Sequence, residues 1–383
     1  MKILLLGDAS NYHKSLSVAL ERMGHDVTVA SNGSNWMQTE RNIDLSRKFS
    51  GKIGGLALWL KIKTVLANKI KGYDVVQISN PIFLDLRPHR VKAVFDLIKQ
   101  HNSSVFLTAL GTDTPYINMC LDKASPLKYN EWIVNGEKSP LSHKSPEILD
   151  AWQQEPLNSH CDYIYNNIDG AISALYEYNI ACKYALPKEK IAYAGIPIDT
   201  KSLTPAISFS EAPRKVKLFL GMHNYRKEEK GTDRLLCAAQ RVAGLHPDKC
   251  ELKIVENLPY AEYIDVLRHS HVLLDQLYSY TPATNALIGM AYGLTAVTGG
   301  EDEYYDFIGE TENRPIVNAI PDDEQLFKTI ENIVLHPEEI PIRAKQSRDF
   351  VIKHNDSEVV AQRFINTWIN ISLFNFSIFK LIF

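Results

Sequence analysis

The chain has 383 residues, 45% of them hydrophobic and 23% charged, with a formal net charge of −3. That length suits two ordinary domains, and the charge balance is that of a globular protein rather than a basic nucleic-acid binder. The five cysteines (Cys120, Cys161, Cys182, Cys237, Cys250) are odd in number and form no Cys-x-x-Cys pair, which argues for reduced thiols in a cytoplasm and against a disulfide framework or a zinc site.

Lys2–Leu6 is an apolar run of strand length, and Asp8 interrupts it too early for a signal peptide. A helix with apolar positions Leu16, Val18, Ala19, Leu20 and Met23 follows and stops at Gly24. Asp26–Ala30 is the second strand. This opening is Rossmann-like, but the loop Gly7–His13 lacks the Gly-x-Gly-x-x-Gly spacing that lets backbone approach a pyrophosphate. NAD or FAD is therefore not expected here. His13 is either a base or substrate contact reaching into an interdomain cleft, or a surface residue of the first helical turn.

Between residues 47 and 71 lie Arg47, Lys48, Lys52, Lys61, Lys63, Lys69 and Lys71 with no acidic residue among them, and Leu56-Ala57-Leu58-Trp59-Leu60 is embedded in the segment. Basic residues interleaved with Leu and Trp suit a helix lying on an anionic membrane surface. The alternative is a solvated helix face packed on the sheet by its apolar side. Tyr73–Ser79 is the third strand, Val91–Lys99 a helix and Ser104–Leu110 the fourth strand. Asp113 follows at that strand's carboxyl end, the edge where open α/β sheets bind ligands. It either meets an acceptor hydroxyl and takes its proton or caps a turn or helix.

Residues 114–160 show no clear periodicity and read as a long irregular insertion that carries acceptor specificity. Asp169–Ala174 is a strand, a helix starts at Tyr176, and Lys190–Ala194 is a further strand, closed by Gly195-Ile196-Pro197-Ile198-Asp199. Residues 201–214 read as the interdomain linker. The alternation then restarts with Val216–Leu220, the charged loop Tyr225–Gly231, a helix from Thr232 to Val242, the strand Glu251–Val255 and the helix Ala261–Arg268.

His271–Leu274 is a buried strand ending at Asp275. After a polar, aromatic loop, Pro282 opens the small-residue helix Ala283–Ala291, Gly293 stops it, and Leu294–Val297 is the next strand, closed by Gly299-Gly300. Strand, helix, strand is a βαβ unit whose helix begins at the carboxyl edge of a parallel sheet. Its free N–H groups and dipole make that edge a phosphate site. Arg226 and Lys230 also follow a strand, so they are candidate neutralisers of a leaving diphosphate. The acidic run Glu301–Asp306 suits sugar hydroxyls better than a metal, since no Asp-x-Asp triad is present. Pro315–Ala319 is a last strand, with helices at Asp322–Val334, Pro337–Lys353 and from Ser357 to about Ile371. The apolar tail Phe364–Phe383 is interrupted by Asn366, Asn370, Asn375 and Lys380, and it reads as a helix across the two domains rather than a membrane span.

Two Rossmann-like halves with ligand loops at the carboxyl edges resemble the GT-B glycosyltransferases. Leu287-Ile288-Gly289-Met290-Ala291-Tyr292-Gly293-Leu294-Thr295-Ala296-Val297 resembles the donor-binding signature Leu-Glu-Ala-Met-Ala-x-Gly-Leu-Pro-Val of the retaining bacterial lipopolysaccharide and capsule group. Gly221 through Lys230-Gly231 is similar to that group's diphosphate-holding loop, and Gly111-Thr112-Asp113 and Gly195–Asp199 to its strand-end signatures. The group's paired glutamates fall at Tyr280 and Ile288, and its histidine at Leu110, so these departures leave the sugar and ribose to be held differently.

The resemblance implies an α/β, two-domain protein: residues 1–200 for the acceptor, a linker at 201–214, 215–350 for a nucleotide-sugar donor, and 351–383 as a helix crossing between them. It implies sugar transfer to a glycan or lipid-linked acceptor, with no separate cofactor and no metal, inside the cell and at the inner face of its membrane. The donor diphosphate would meet Arg226, Lys230, Thr281, Thr284 and Asn285, and the sugar or ribose Tyr280 and Glu301. Asp113 or His13 would be the base if the outcome is inverting. Two other roles fit the same fold: a nucleotide-sugar epimerase and a non-catalytic nucleotide-sugar binder.

Overall fold

Short apolar runs separated by amphipathic helices make parallel strands covered on both faces, and this chain builds two such sheets. A computed structural model describes residues 1–34, 37–207, 209–223 and 225–382, with side chains described through residue 371. One compact unit comprises Met1–Met119, Glu147–Pro197 and Ser357–Phe383. The other comprises Cys120–Pro146 and Ile198–Asp356.

The first unit contains β1 (Lys2–Leu6), β2 (Asp26–Ser31), β3 (Ile43–Asp44), β4 (Val75–Ile78) and β5 (Ser104–Ala109). A small antiparallel hairpin, β6 (Ile133–Val134) with β7 (Glu137–Lys138), belongs to the second unit, and the chain then returns for β8 (Gly170–Ser173) and β9 (Ile191–Tyr193). The seven strands of the first sheet pair in the order β3-β2-β1-β4-β5-β8-β9, all parallel. Ile3, Leu4, Val76 and Leu107 are fully buried, as central strands covered on both faces must be.

The helix Ser357–Ile382 packs against the first helix, Tyr12–Arg22. The Trp368 indole N–H donates to Gln77 Oε1 at 2.8 Å, and the Phe364 ring sits edge-on to Tyr12 at 6.2 Å. Burying each of these rings stabilises the unit by about 2–3 kcal/mol. Among the described residues no helix is long and apolar enough to cross a membrane. The tail residues Asn375 and Lys380 lie beyond the described side chains.

The second sheet is formed by β10 (Val216–Met222), β11 (Cys250–Glu256), β12 (Val272–Leu274), β13 (Thr295–Thr298) and β14 (Val317–Asn318), paired β11-β10-β12-β13-β14 and again parallel. This is the doubly wound order in which the first strand is flanked by the second and third. The helices Thr232–Leu245 and Asp323–Leu335 cover one face, where Leu235, Val242, Leu326 and Ile330 close the core.

Residues 114–160 depart from the irregular insertion expected. They contain helices at Thr114–Leu121, Pro140–Lys144, Pro146–Gln153 and Leu157–Asn167, besides the β6–β7 hairpin. Two of them start at side-chain caps: at Pro140–Lys144 the Ser139 hydroxyl accepts the Ser142 N–H and proline takes the first turn, and at Thr114–Leu121 Asp113 accepts the Tyr116 N–H. Lys227–Lys230, read as loop, is a one-turn helix that ends at Gly231, whose φ of 67° is left-handed and suits glycine.

Candidate functional site

Strand order in the second unit reverses between β10 and β12, and the crevice outside the carboxyl ends at such a point is where open α/β sheets bind ligands. Asp275 directly follows β12, and the one-turn helix Lys227–Lys230 follows β10. The Leu277 N–H donates to the Lys230 carbonyl at 2.9 Å, so the two loops are joined by backbone. The Lys230 ammonium lies 3.6 Å from Asp275 Oδ1, and the same oxygen accepts the Asn285 amide at 2.9 Å. Tyr263 donates to Asn285 Oδ1 at 2.9 Å and keeps its proton, because burial raises its pKa. The result is a chain Tyr263–Asn285–Asp275–Lys230 across the sheet edge. Asp275 Oδ2 is buried and has no hydrogen-bond partner among the described residues. A buried polar atom of this kind is uncommon in a native protein and marks a place where a ligand or water completes the bonding.

The helix Thr284–Ala291 begins beside this chain. Ala283 occupies its cap position and offers the first turn no side-chain cap bond, and that turn holds no acidic residue. Uncapped N–H groups and the positive dipole end are the elements of an anion site. Thr284 and Asn285 form the first turn and are half-buried, whereas Thr281 is buried. The loop between Asp275 and Ala283 lies hard against the end of β13. A Cβ on Gly299 would meet the Ser279 carbonyl oxygen at 2.1 Å, which accounts for glycine at that strand end.

Arg226 stands apart from Lys230 in its pairing. Its guanidinium is held by Glu229 in two contacts, one of them Nε to Oε2 at 3.0 Å. Nearby, Glu228 accepts the Lys144 ammonium at 2.7 Å, and these bonds hold its carboxyl below the usual range against the upward push of burial.

Tyr280 and Glu301 form a second cluster, on the β13 and β14 side. Glu301 Oε1 accepts the Tyr129 hydroxyl at 2.6 Å and the Asn318 amide at 2.7 Å, and Lys128 reaches Oε2 at 3.4 Å. The Lys128 backbone N–H donates to the Tyr280 hydroxyl, and the Tyr129 and Tyr280 rings lie 5.2 Å apart. Lys128 also pairs with Glu303 at 2.7 Å. The segment Cys120–Pro146 thus seals both residues: Tyr280 is fully buried and Glu301 nearly so. No local pattern announces this, because the partners are more than 150 residues apart. The signal available was the run Lys128-Tyr129-Asn130-Glu131-Trp132, polar and aromatic as a segment that docks on a charged edge must be.

In the first unit His13 is fully buried at the start of its helix. Its Nδ1 meets the Gly7 carbonyl at 2.6 Å, which can only accept, so Nδ1 carries the proton and Nε2 accepts from Thr108 at 3.1 Å. Thr108 in turn accepts the Gln77 amide at 3.0 Å, and Gln77 continues to Trp368. Desolvation lowers the His13 pKa, while Asp8 and the Gly7 carbonyl oppose it. His13 is therefore a neutral link joining β1, β5, β4 and the final helix.

Asp113 is a buried helix cap. Its Oδ1 accepts the Tyr116 N–H at 2.9 Å, and the Ile117 N–H donates to its carbonyl at 3.0 Å. Oδ2 accepts the Tyr165 hydroxyl at 2.7 Å. Burial pushes its carboxyl up to about 6, although both hydrogen bonds favour the charged form.

No protein-family model matches the chain, and no curated protein matches its sequence. Solved structures do match it. Sucrose-phosphate synthase from Thermosynechococcus elongatus is similar with a TM-score of 0.59 at 12% identity, over 96% of this chain and 98% of that one. HepE from Anabaena, in complex with UDP and glucose, has a TM-score of 0.56 at 12% identity, over 96% and 99%. A candidate UDP-N-acetylglucosamine 2-epimerase from Listeria monocytogenes has a TM-score of 0.54 at 12% identity, over 95% and 94%. At these identities the likeness defines the fold: α/β, with two parallel sheets, as in the GT-B glycosyltransferases.

Proposed function

We propose that this chain is a glycosyltransferase that moves a hexose from a nucleotide-diphosphate sugar to a glycan or lipid-linked acceptor. The setting proposed is cell-surface polysaccharide synthesis at the inner face of the membrane. The observation that carries the reading is the switch-point cluster: Lys230, Asp275 and Asn285 meet at the start of the helix Thr284–Ala291, whose cap residue is Ala283. The HepE structure, with UDP bound on the same fold, and the signature-like segment Leu287–Val297 support it.

In the proposed reaction the bond from the anomeric carbon to the diphosphate oxygen breaks as the acceptor oxygen bonds to that carbon. Negative charge grows on the departing diphosphate, and stabilising it is the main catalytic term. Lys230 and the first N–H groups of the helix supply that stabilisation, with Asp275 and Asn285 holding Lys230 in place. Arg226 joins them when it exchanges Glu229 for phosphate. No metal is needed for this charge balance. The acceptor proton passes to a leaving-phosphate oxygen if configuration is retained. If it is inverted, a base is required, and Asp113, with a carboxyl that titrates near 6, suits that task better than His13. Tyr280 and Glu301 reach the sugar or ribose only if Lys128 and Tyr129 lift.

Thermal unfolding with UDP, GDP and ADP at millimolar concentration tests the reading, because a ligand of the native state raises the melting temperature. A shift with one nucleotide diphosphate and none with its nucleoside is expected, and no shift with any of them would refute the proposal. The likeness to the Listeria structure favours one alternative, a nucleotide-sugar epimerase. Sugar-nucleotide turnover without an acceptor, yielding an isomer, would select it.

A further inference from the structure

The basic segment 47–71 is divided by the fold into two faces. Arg47 is paired with Asp85 at 3.0 Å, and the Lys61 ammonium donates to the Asp44 carbonyl at 2.5 Å, so neither belongs to a free basic surface. The helix Gly51–Lys61 and its continuation Ile62–Leu66 bury Gly54, Leu58, Ile62 and Leu66 on one side. The opposite side is also apolar. Ile53 is 74% exposed, Phe49 just ahead of the helix is 61% exposed, and Leu56, Leu60 and Val65 are exposed as well. At roughly 100° per residue, positions 53, 56 and 60 fall within a sector of about 60°. A helix on the surface of a soluble protein carries polar residues there. Single exposed apolar side chains are ordinary, whereas a continuous row of them marks an interaction surface.

Lys48, Lys52, Lys63 and Lys69 of the same segment are all exposed, and Lys63 lies over the Trp59 ring at 4.6 Å. Asp44 and Asp85 are paired with Lys61 and Arg47. In a chain of net charge −3 this is a local positive surface with an apolar centre. We propose that it is a docking face for an anionic lipid bilayer. The row Phe49, Ile53, Leu56 and Leu60 enters the boundary between headgroups and acyl chains, and the four lysines meet anionic headgroups. A protein partner is disfavoured by the charge pattern, because a bilayer supplies anionic groups all round an apolar interior. The inference specifies the membrane setting of the proposed function, and its test needs no sugar transfer.

The full chain is co-sedimented with phosphatidylcholine vesicles, with and without phosphatidylglycerol. Binding is expected to the phosphatidylglycerol vesicles, falling as salt shortens the Debye length. Each exposed lysine near such a surface contributes roughly fivefold in affinity, so replacing all four with glutamine should weaken binding by about two orders of magnitude or more. The pair Ile53→Asp and Leu60→Asp should abolish binding while leaving the melting temperature unchanged, since both side chains face solvent. Absence of binding to anionic vesicles by the unaltered chain would overturn the proposal. So would unchanged binding by either variant, or a dimer dissociated by Ile53→Asp with no affinity for vesicles. Failure here with intact nucleotide binding removes only the docking face; vesicle binding without nucleotide binding removes only the transferase reading.

Discussion

Replacing Asp113 with asparagine separates a capping role from a catalytic one. Asparagine is as good a helix cap, so the bond to the Tyr116 N–H survives, but the ionisable group is gone. The carboxyl titrates near 6 when folded against 3.8 in the open chain, a gap of about 2 pKa units, or about 3 kcal/mol. The folded pKa is the raised one, so between these values the native state binds more protons than the unfolded state, and stability falls as pH rises. Below about pH 3 the carboxyl is protonated in both states and costs nothing. Above about pH 6 it is ionised in both, and its burial withholds the full amount. The stability of Asp113→Asn relative to the parent should therefore rise by about 3 kcal/mol from pH 3 to pH 7. Urea unfolding of the two proteins at each pH measures this, other carboxylates contributing equally to both. A difference that stays flat with pH would refute the assigned environment of Asp113. Activity supplies the second reading: a general base should lose about 10²–10⁴-fold in kcat, whereas a cap alone should lose little.

Lys230→Ala removes one charge-assisted contact, so nucleotide-diphosphate affinity should fall about 10- to 100-fold by calorimetry, while nucleoside affinity holds; equal losses would remove Lys230 from the phosphate site. Glu301→Gln weakens the hold on Tyr129 and Lys128. Amide exchange in residues 120–146 should then accelerate, and unchanged protection would show that Glu301 does not retain that segment. Trp368→Phe strands Gln77 Oε1 and should cost about 1–3 kcal/mol in the urea unfolding of the first unit.

Much of the fold was legible because parallel strands buried on both faces must be short apolar runs: β1, β4, β5, β10 and β12 announce themselves that way. Tyr73–Ser79 and Pro315–Ala319 came out shorter as β4 (Val75–Ile78) and β14 (Val317–Asn318), since strand ends are set by pairing partners. The helices of 114–160 were not legible, being only one to three turns long, too short to show a periodic apolar stripe. In the site, the order strand, glycine, basic loop and the order strand, proline, small-residue helix pointed to Lys230 and Asn285. Asp275 was visible only as a strand end. Its role as the carboxylate that gathers both became evident when β12 was placed beside β10.

By itself the order of residues determined two α/β halves, a carboxyl edge for each strand, and which side chains lie near those edges, because periodicity and glycine placement are local properties. Tertiary structure alone decided which of those side chains are available. Glu301 and Tyr280 are taken by Lys128 and Tyr129, His13 is held between Gly7 and Thr108, and Arg47 and Lys61 are paired with Asp85 and Asp44. Each of these outcomes depends on a partner distant in sequence, and hydrogen bonding in a buried site selects that partner by geometry rather than by spacing along the chain.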